Sequence, residues 1–189
     1  MMVLSMTLLY GGLLGLTAAA KCPRDMGSLR STYVANSYDE SKMAGFFYEI
    51  AYEDIMQKGE TCQWFNETIV SSGISEMFGF TYSKPGSAPV RFDSTDESGV
   101  YLKYMGTSEG MPTVVVDATL SEDGSHYETV TEYTCSGDGA KPYEEIKIGA
   151  RTPTVSPETM AAIELALQKV GIDTSSLTYV DHEGCEYAV

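Results

Sequence analysis

Tyr143-Glu144-Glu145-Ile146-Lys147-Ile148-Gly149-Ala150-Arg151-Thr152-Pro153-Thr154-Val155-Ser156-Pro157-Glu158-Thr159-Met160 carries the chain from the last of a series of strands into a single helix. Ser156 is a natural N-cap, Pro157 suits the first helical position and Glu158 favours the positive end of the helix dipole. Gly171 supplies a stop. Met160, Ile163, Leu167 and Val170 recur at steps of three and four residues, so the helix has one apolar stripe that must dock on a wall.

That wall lies upstream. Short runs rich in Tyr, Phe, Val and Thr fill 45–53, 62–70, 74–82, 89–94, 99–105, 113–120, 127–135 and 143–150. Turn residues separate them, among them Lys58-Gly59, Ser71-Ser72-Gly73, Lys84-Pro85-Gly86 and Asp123-Gly124. Eight antiparallel strands joined by hairpins suit an all-β, up-and-down barrel, which has no exposed edge. A β-sandwich would use the same count. A short ninth strand is expected over 177–181.

The chain has 189 residues, enough for one domain. Residues 1–20 carry no charge, and Leu4, Leu8, Leu9, Leu13, Leu14 and Leu16 form an apolar run before Ala18-Ala19-Ala20. That reads as a cleaved signal peptide over 1–20 followed by a domain over 21–189, although no Lys or Arg precedes the run. The alternative is a retained hydrophobic anchor. The remainder holds 12 basic against 27 acidic side chains, which disfavours nucleic acid and anionic membrane surfaces as partners. Cys22, Cys62, Cys135 and Cys185 are too far apart for a zinc motif; behind a signal peptide they read as two disulfides, with three connectivities open. Asn66-Glu67-Thr68 is a glycosylation sequon. No metal or cofactor is implied.

The residues also resemble a family. The stretch from Tyr38 to Ala51, with Gly45-Phe46-Phe47-Tyr48 at its centre, is similar to the opening motif of the lipocalins. Gly59-Glu60-Thr61-Cys62, the run from Tyr127 to Cys135 and the segment Arg151-Thr152-Pro153-Thr154-Val155-Ser156-Pro157-Glu158 resemble later lipocalin motifs. The likeness points to the apolipoprotein D and bacterial-lipocalin branch. It implies an eight-stranded barrel with one flanking C-terminal helix, and binding and transport of a small hydrophobic ligand of the lipid, retinoid, sterol or carotenoid class. It also implies the pairings Cys22–Cys135 and Cys62–Cys185, each worth roughly 4–5 kcal/mol in loop entropy. Two departures stand out. Phe47 replaces the motif Trp against Arg151, at a cost of about 0.5–1 kcal/mol in cation–π contact. Asp117 and Tyr127 of the family's Thr-Asp-x-x-x-Tyr turn are separated by a longer connection.

Strand alternation then assigns the inner face. Asn66 must face out to carry a glycan, so Phe65, Glu67 and Ile69 face in and Trp64 faces out. Phe47, Glu49 and Ala51 face in, leaving Tyr48 and Ile50 for the helix. Arg151 in the closed end places Tyr143, Glu145 and Lys147 inside, with Ile146 and Ile148 under the helix. Phe78, Phe80 and Tyr82 share one face of the third strand, and Leu102, Tyr104, Val115 and Tyr133 follow by parity. Ordinary barrel packing would use the same aromatics. Glu49, Glu145 and Lys147 must be paired or solvated, as an internal ion pair or around a polar head group.

No catalytic residue is assigned. Lipocalins that isomerise a lipid use a free cysteine, and here all four cysteines are assigned to disulfides. Glu49 and Glu67 are placed as cavity carboxylates of the carotenoid epoxidation-cycle proteins would be, but the flanking domains are missing. His126 and His182, in a loop and in the tail, are poorly placed as haem ligands. A scaffold without ligand is the remaining alternative; a filled interior would favour it. Export to the extracellular space is expected, with a plastid lumen as the alternative and Lys21 as the first mature residue.

Overall fold

The computed structural model describes residues 22–137 and 142–187; the leader expected over 1–20 lies outside the described residues. Strands β1 Gly45–Glu53, β2 Thr61–Val70, β3 Gly73–Thr81, β4 Pro85–Ser94, β5 Val100–Tyr104, β6 Met111–Leu120, β7 Tyr127–Ser136 and β8 Tyr143–Ala150 follow in chain order. Each is antiparallel to the next, and β8 returns to β1. β1 also pairs with β2, from Gly45 opposite Glu67 to Tyr48 opposite Trp64, so the sheet closes on itself. Closure decides for the barrel over the sandwich. Where β1 leaves β2, the two-residue strand β9, Thr178–Tyr179, takes over the vacated edge at Ala51 and Tyr52.

Before the barrel, helix α1 spans Thr32–Ser37; after it, helix α2 spans Pro157–Lys169. The Ser156 hydroxyl caps α2 by accepting from the Thr159 amide at 3.1 Å, and the chain turns away at Gly171 with φ +85°. Met160, Ile163 and Leu167 are buried against Ile50, Ile146, Ile148 and Ala150 on the outer wall. The apolar stripe therefore docks as its spacing requires.

Two local expectations are corrected. Ile50 forms a bulge, with Glu49 opposite Gly149 but Ala51 opposite Ile148. One extra residue inverts the phase of the strand, so Ala51 joins the helix-facing cluster and Tyr52, opposite Lys147, takes the inner face. β4 begins at Pro85 rather than at 89, because Thr81 pairs with Pro85 and Phe80 with Gly86. The segment before β1 also has structure that the pattern of strands did not reveal. Ser31 caps α1, and Val34 and Met43 are fully buried beside Phe47 and Tyr127. The Tyr38 ring stacks on Tyr127 at 5.6 Å. This arm seals one end of the barrel.

Both disulfides are present as the resemblance implied. Cys22–Cys135 ties the arm to β7, and Cys62–Cys185 ties the C-terminal tail to the start of β2. Cys62 adopts φ +53°, and its amide donates to Asp181 O at 3.1 Å instead of continuing the β2–β3 ladder.

The closed end is organised by Arg151. Its guanidinium lies 3.6 Å from the Phe47 ring centroid, and it donates to Phe46 O at 2.7 Å, Tyr127 O at 2.9 Å and Ala44 O at 2.9 Å. Gly45 has φ +105°, and a Cβ there would sit 3.1 Å from Arg151 Nη1, so glycine satisfies both the backbone and the cation. Replacing Arg151 with Ala removes several charge-assisted hydrogen bonds at once, and a loss of about 2–4 kcal/mol is expected. Arg151→Lys should recover little of it, because a point charge cannot reproduce the fork. Equilibrium denaturation measures this; an unchanged midpoint for both variants would contradict the role given to Arg151.

Candidate functional site

The inner wall is unusually polar for a buried surface. Glu49, Glu67, Glu76, Lys103, Glu132, Glu145 and Lys147 are all at most 3 % exposed. The alternation of β8 puts Glu145 and Lys147 inside, as expected, and β3, β5 and β7 bring their partners across. Lys147 Nζ donates to Glu76 Oε2 at 2.5 Å and lies 2.8 Å from Glu132 Oε2. The Phe65 ring centroid is 4.1 Å from that ammonium. Nearer the open end, Lys103 Nζ sits 2.6 Å from both oxygens of Glu145. Each cation is thus held by carboxylates from other strands, as buried charge requires.

Five glutamates against two lysines leave a surplus, which protonation relieves. Burial pushes the Glu49 carboxyl well above the ordinary carboxylate range, against the pull of Lys147. Burial, reinforced by the charge of Glu132, does the same to Glu67, and burial raises Glu132 despite Lys147. Glu145 goes the other way: burial opposes its charge, but the charge and hydrogen bonds of Lys103 outweigh it and hold the carboxyl low. Glu67 is the extreme case, since neither oxygen has a hydrogen-bond partner among the described residues.

The barrel is filled below this network and open above it. Phe47, Phe65, Ile74, Phe92, Val115, Tyr127 and Val130 close the lower half. Above it is a cavity of about 270 Å³, just under the roughly 300–1,000 Å³ usual for ligand pockets. Its walls are Met56, Phe78, Phe80, Pro89, Val90 and Met105. Its floor and one side are polar, with Glu76, Lys103, Glu145 and Lys147 below and Asp54, Gln57 and Glu60 from the β1–β2 loop. Asp54 accepts from the Tyr143 hydroxyl at 3.1 Å and from the Met56 amide at 2.8 Å.

Of the ligand set expected from parity, Phe78, Phe80 and Lys147 line this cavity. Glu49, Phe65, Glu67, Ile69 and Val115 face inward but belong to the packed interior. Four residues are corrected. Tyr82 is 70 % exposed in the β3–β4 turn. Leu102 and Tyr104 face outward, Leu102 lying 37 % exposed and Tyr104 beneath the Arg91 guanidinium, because β5 turns Tyr101 and Lys103 inward instead. Tyr133 also faces outward: it shares parity with Cys135, which must reach Cys22 outside the barrel, so Glu132 is the inward neighbour. Trp64 lies on the outer face as expected, buried over Gly79, where a Cβ would come within 2.0 Å of its ring. Asn66 is half-buried on that face. The parity of Glu76 with Phe78 was available in the sequence; nothing there marked the loop residues Asp54, Gln57 and Glu60.

No family model and no curated protein sequence matches the chain. Solved structures do. H1 crustacyanin from the lobster Homarus americanus superposes with a TM-score of 0.64 at 12 % identity, covering 86 % of this chain and 88 % of that one. Insecticyanin from the tobacco hornworm Manduca sexta gives 0.62 at 15 % identity, covering 79 % and 84 %. The siderocalin Ex-FABP, which functions through dual ligand specificities, gives 0.57 at 14 % identity, covering 77 % and 96 %. The chain has the lipocalin fold. The likeness is one of architecture, and the interior of this lipocalin barrel is defined by its own residues.

The raised Glu67 carboxyl has a consequence for stability. Above pH about 4.5 the unfolded chain releases this proton while the folded chain keeps it, so folding weakens as pH rises toward the folded value. Glu67→Gln removes that linkage. The variant should gain on the parent progressively as the pH rises from 5 to 8. Denaturation at a series of pH values tests this; a difference that is constant with pH would show that Glu67 is ionised in the fold.

Proposed function

We propose that this lipocalin-fold protein binds and carries one small molecule with an apolar body, held in the mouth-side cavity and not chemically altered there. The observation that carries the reading is the cavity itself, with an apolar wall of Phe78, Phe80, Val90 and Met105 above a fixed polar floor. A preformed pocket of that kind buries most of a small ligand with little ordering cost. A barrel filled to its mouth would have favoured the scaffold alternative. The cavity volume suits a compact molecule better than a long polyene lying wholly inside. The thiol route to an enzyme lacks its nucleophile, because all four cysteines are in disulfides.

The branch is assigned, within this reading, to the apolipoprotein D and bacterial lipocalins, on the Gly45–Tyr48 and Arg151–Glu158 segments and the two disulfides. Export through a secretory route belongs to the same reading; it rests on the uncharged leader and on two disulfides, which form in oxidising compartments. The siderocalin among the structural neighbours functions through ligand specificities, which agrees with a carrier.

A neutral fluorescent probe such as N-phenyl-1-naphthylamine should bind at one per chain, about micromolar or tighter. Phe78→Arg places a cation against the apolar wall and should abolish uptake, while far-UV circular dichroism stays that of the parent. Uptake unchanged by Phe78→Arg would move the site elsewhere. Failure of the folded, delipidated protein to bind any of a panel of fatty acids, retinoids, sterols and carotenoids, and the probe as well, would end the carrier reading.

A further inference from the structure

Resting on the carrier reading, we propose that the cavity selects a cationic ligand, a primary or substituted amine attached to a compact apolar body, and rejects carboxylates. The floor offers an anion nothing to bind. Lys103 is committed to both oxygens of Glu145, and Lys147 to Glu76 and Glu132. Against those two cations the cavity wall presents four carboxylates: Asp54, Glu60, Glu76 and Glu145. Two of them, Asp54 and Glu60, have no basic partner among the described residues; their contacts are the Met56 amide, the Tyr143 hydroxyl and the Gln63 side-chain amide.

Gln57 also lines the cavity, 6 % exposed, with its Nε2 donating to Glu49 at 3.2 Å. An alkyl- or arylammonium group supplies several N–H donors and a positive charge beside Asp54 and Glu60, while its apolar body lies against Phe78, Phe80 and Met105. A carboxylate in the same place lies beside Asp54 and Glu60 and finds no available ammonium. A neutral alcohol supplies one donor and no charge.

Competition by chain-matched ligands tests this on the full disulfide-bonded protein. Octylamine, 1-octanol and octanoate are titrated against bound N-phenyl-1-naphthylamine at pH 7 and low salt. Octylamine should displace the probe at about tenfold lower concentration than 1-octanol, and octanoate should be the weakest of the three. Raising the salt should narrow the gap. The double substitution Asp54→Asn with Glu60→Gln should lower the amine-to-alcohol ratio at least about fivefold. The parent comparison alone decides the matter even where that variant folds poorly. Equal displacement by amine and alcohol, or octanoate as the best competitor, overturns the charge selectivity and leaves the carrier reading in place. If the parent takes up neither the probe nor any of the three octyl ligands, read by isothermal titration calorimetry, nor any member of the lipid panel, the carrier reading and this inference fall together.

Discussion

A lysine ammonium at the centre of a closed barrel is the constraint on which the rest of this structure depends. Lys147 on β8 is 2 % exposed, and it is held by Glu76 of β3 and Glu132 of β7 under the ring of Phe65 on β2. Two strand pairs far apart in sequence, β2–β3 and β7–β8, must be in register for those groups to meet. An apolar substitution that removed the cation alone would leave two carboxylates unpaired, a defect that typically costs about 3–5 kcal/mol. The pairing therefore specifies which residue of each strand faces inward.

The same network divides the barrel. Below it the arm before β1, with Val34, Tyr38 and Met43, fills and seals one end together with Phe47, Tyr127 and the Arg151 guanidinium. Above it the walls diverge around apolar side chains and a loop that brings Asp54, Gln57 and Glu60 to the opening. Stability and ligand contact are thus allotted to opposite ends. Arg151 acts on the first and Phe78 on the second, so their substitutions should separate cleanly.

Much of this was legible in the sequence, and the exceptions have physical causes. The cap at Ser156, the stripe of α2 and the even spacing of eight strands left barrel and sandwich both open; the lipocalin-like segments pointed to the barrel, and the β1–β2 pairing decides it. On β8 the alternation was unbroken, so Glu145 and Lys147 were placed correctly. On β1 the bulge at Ile50 shifted the phase by one residue, and no composition signal announces a bulge. For Tyr133 the signal existed, since Cys135 two residues later must lie outside the barrel to reach Cys22. β5 misled for a different reason: turning Lys103 inward is tolerable only because Glu145 waits there, a pairing between residues 42 apart. The sealing arm has too few residues per element to show a period.

The division of the barrel can be seen directly in a crystal structure of the protein grown with N-phenyl-1-naphthylamine. One probe molecule between Phe78, Phe80 and Met105, resting on an intact Lys147–Glu76 pair, is the expected result. A probe lodged in the outer groove between α2 and Tyr179, or inserted below Phe65 with the Lys147 pairs broken, would contradict the placement of the site.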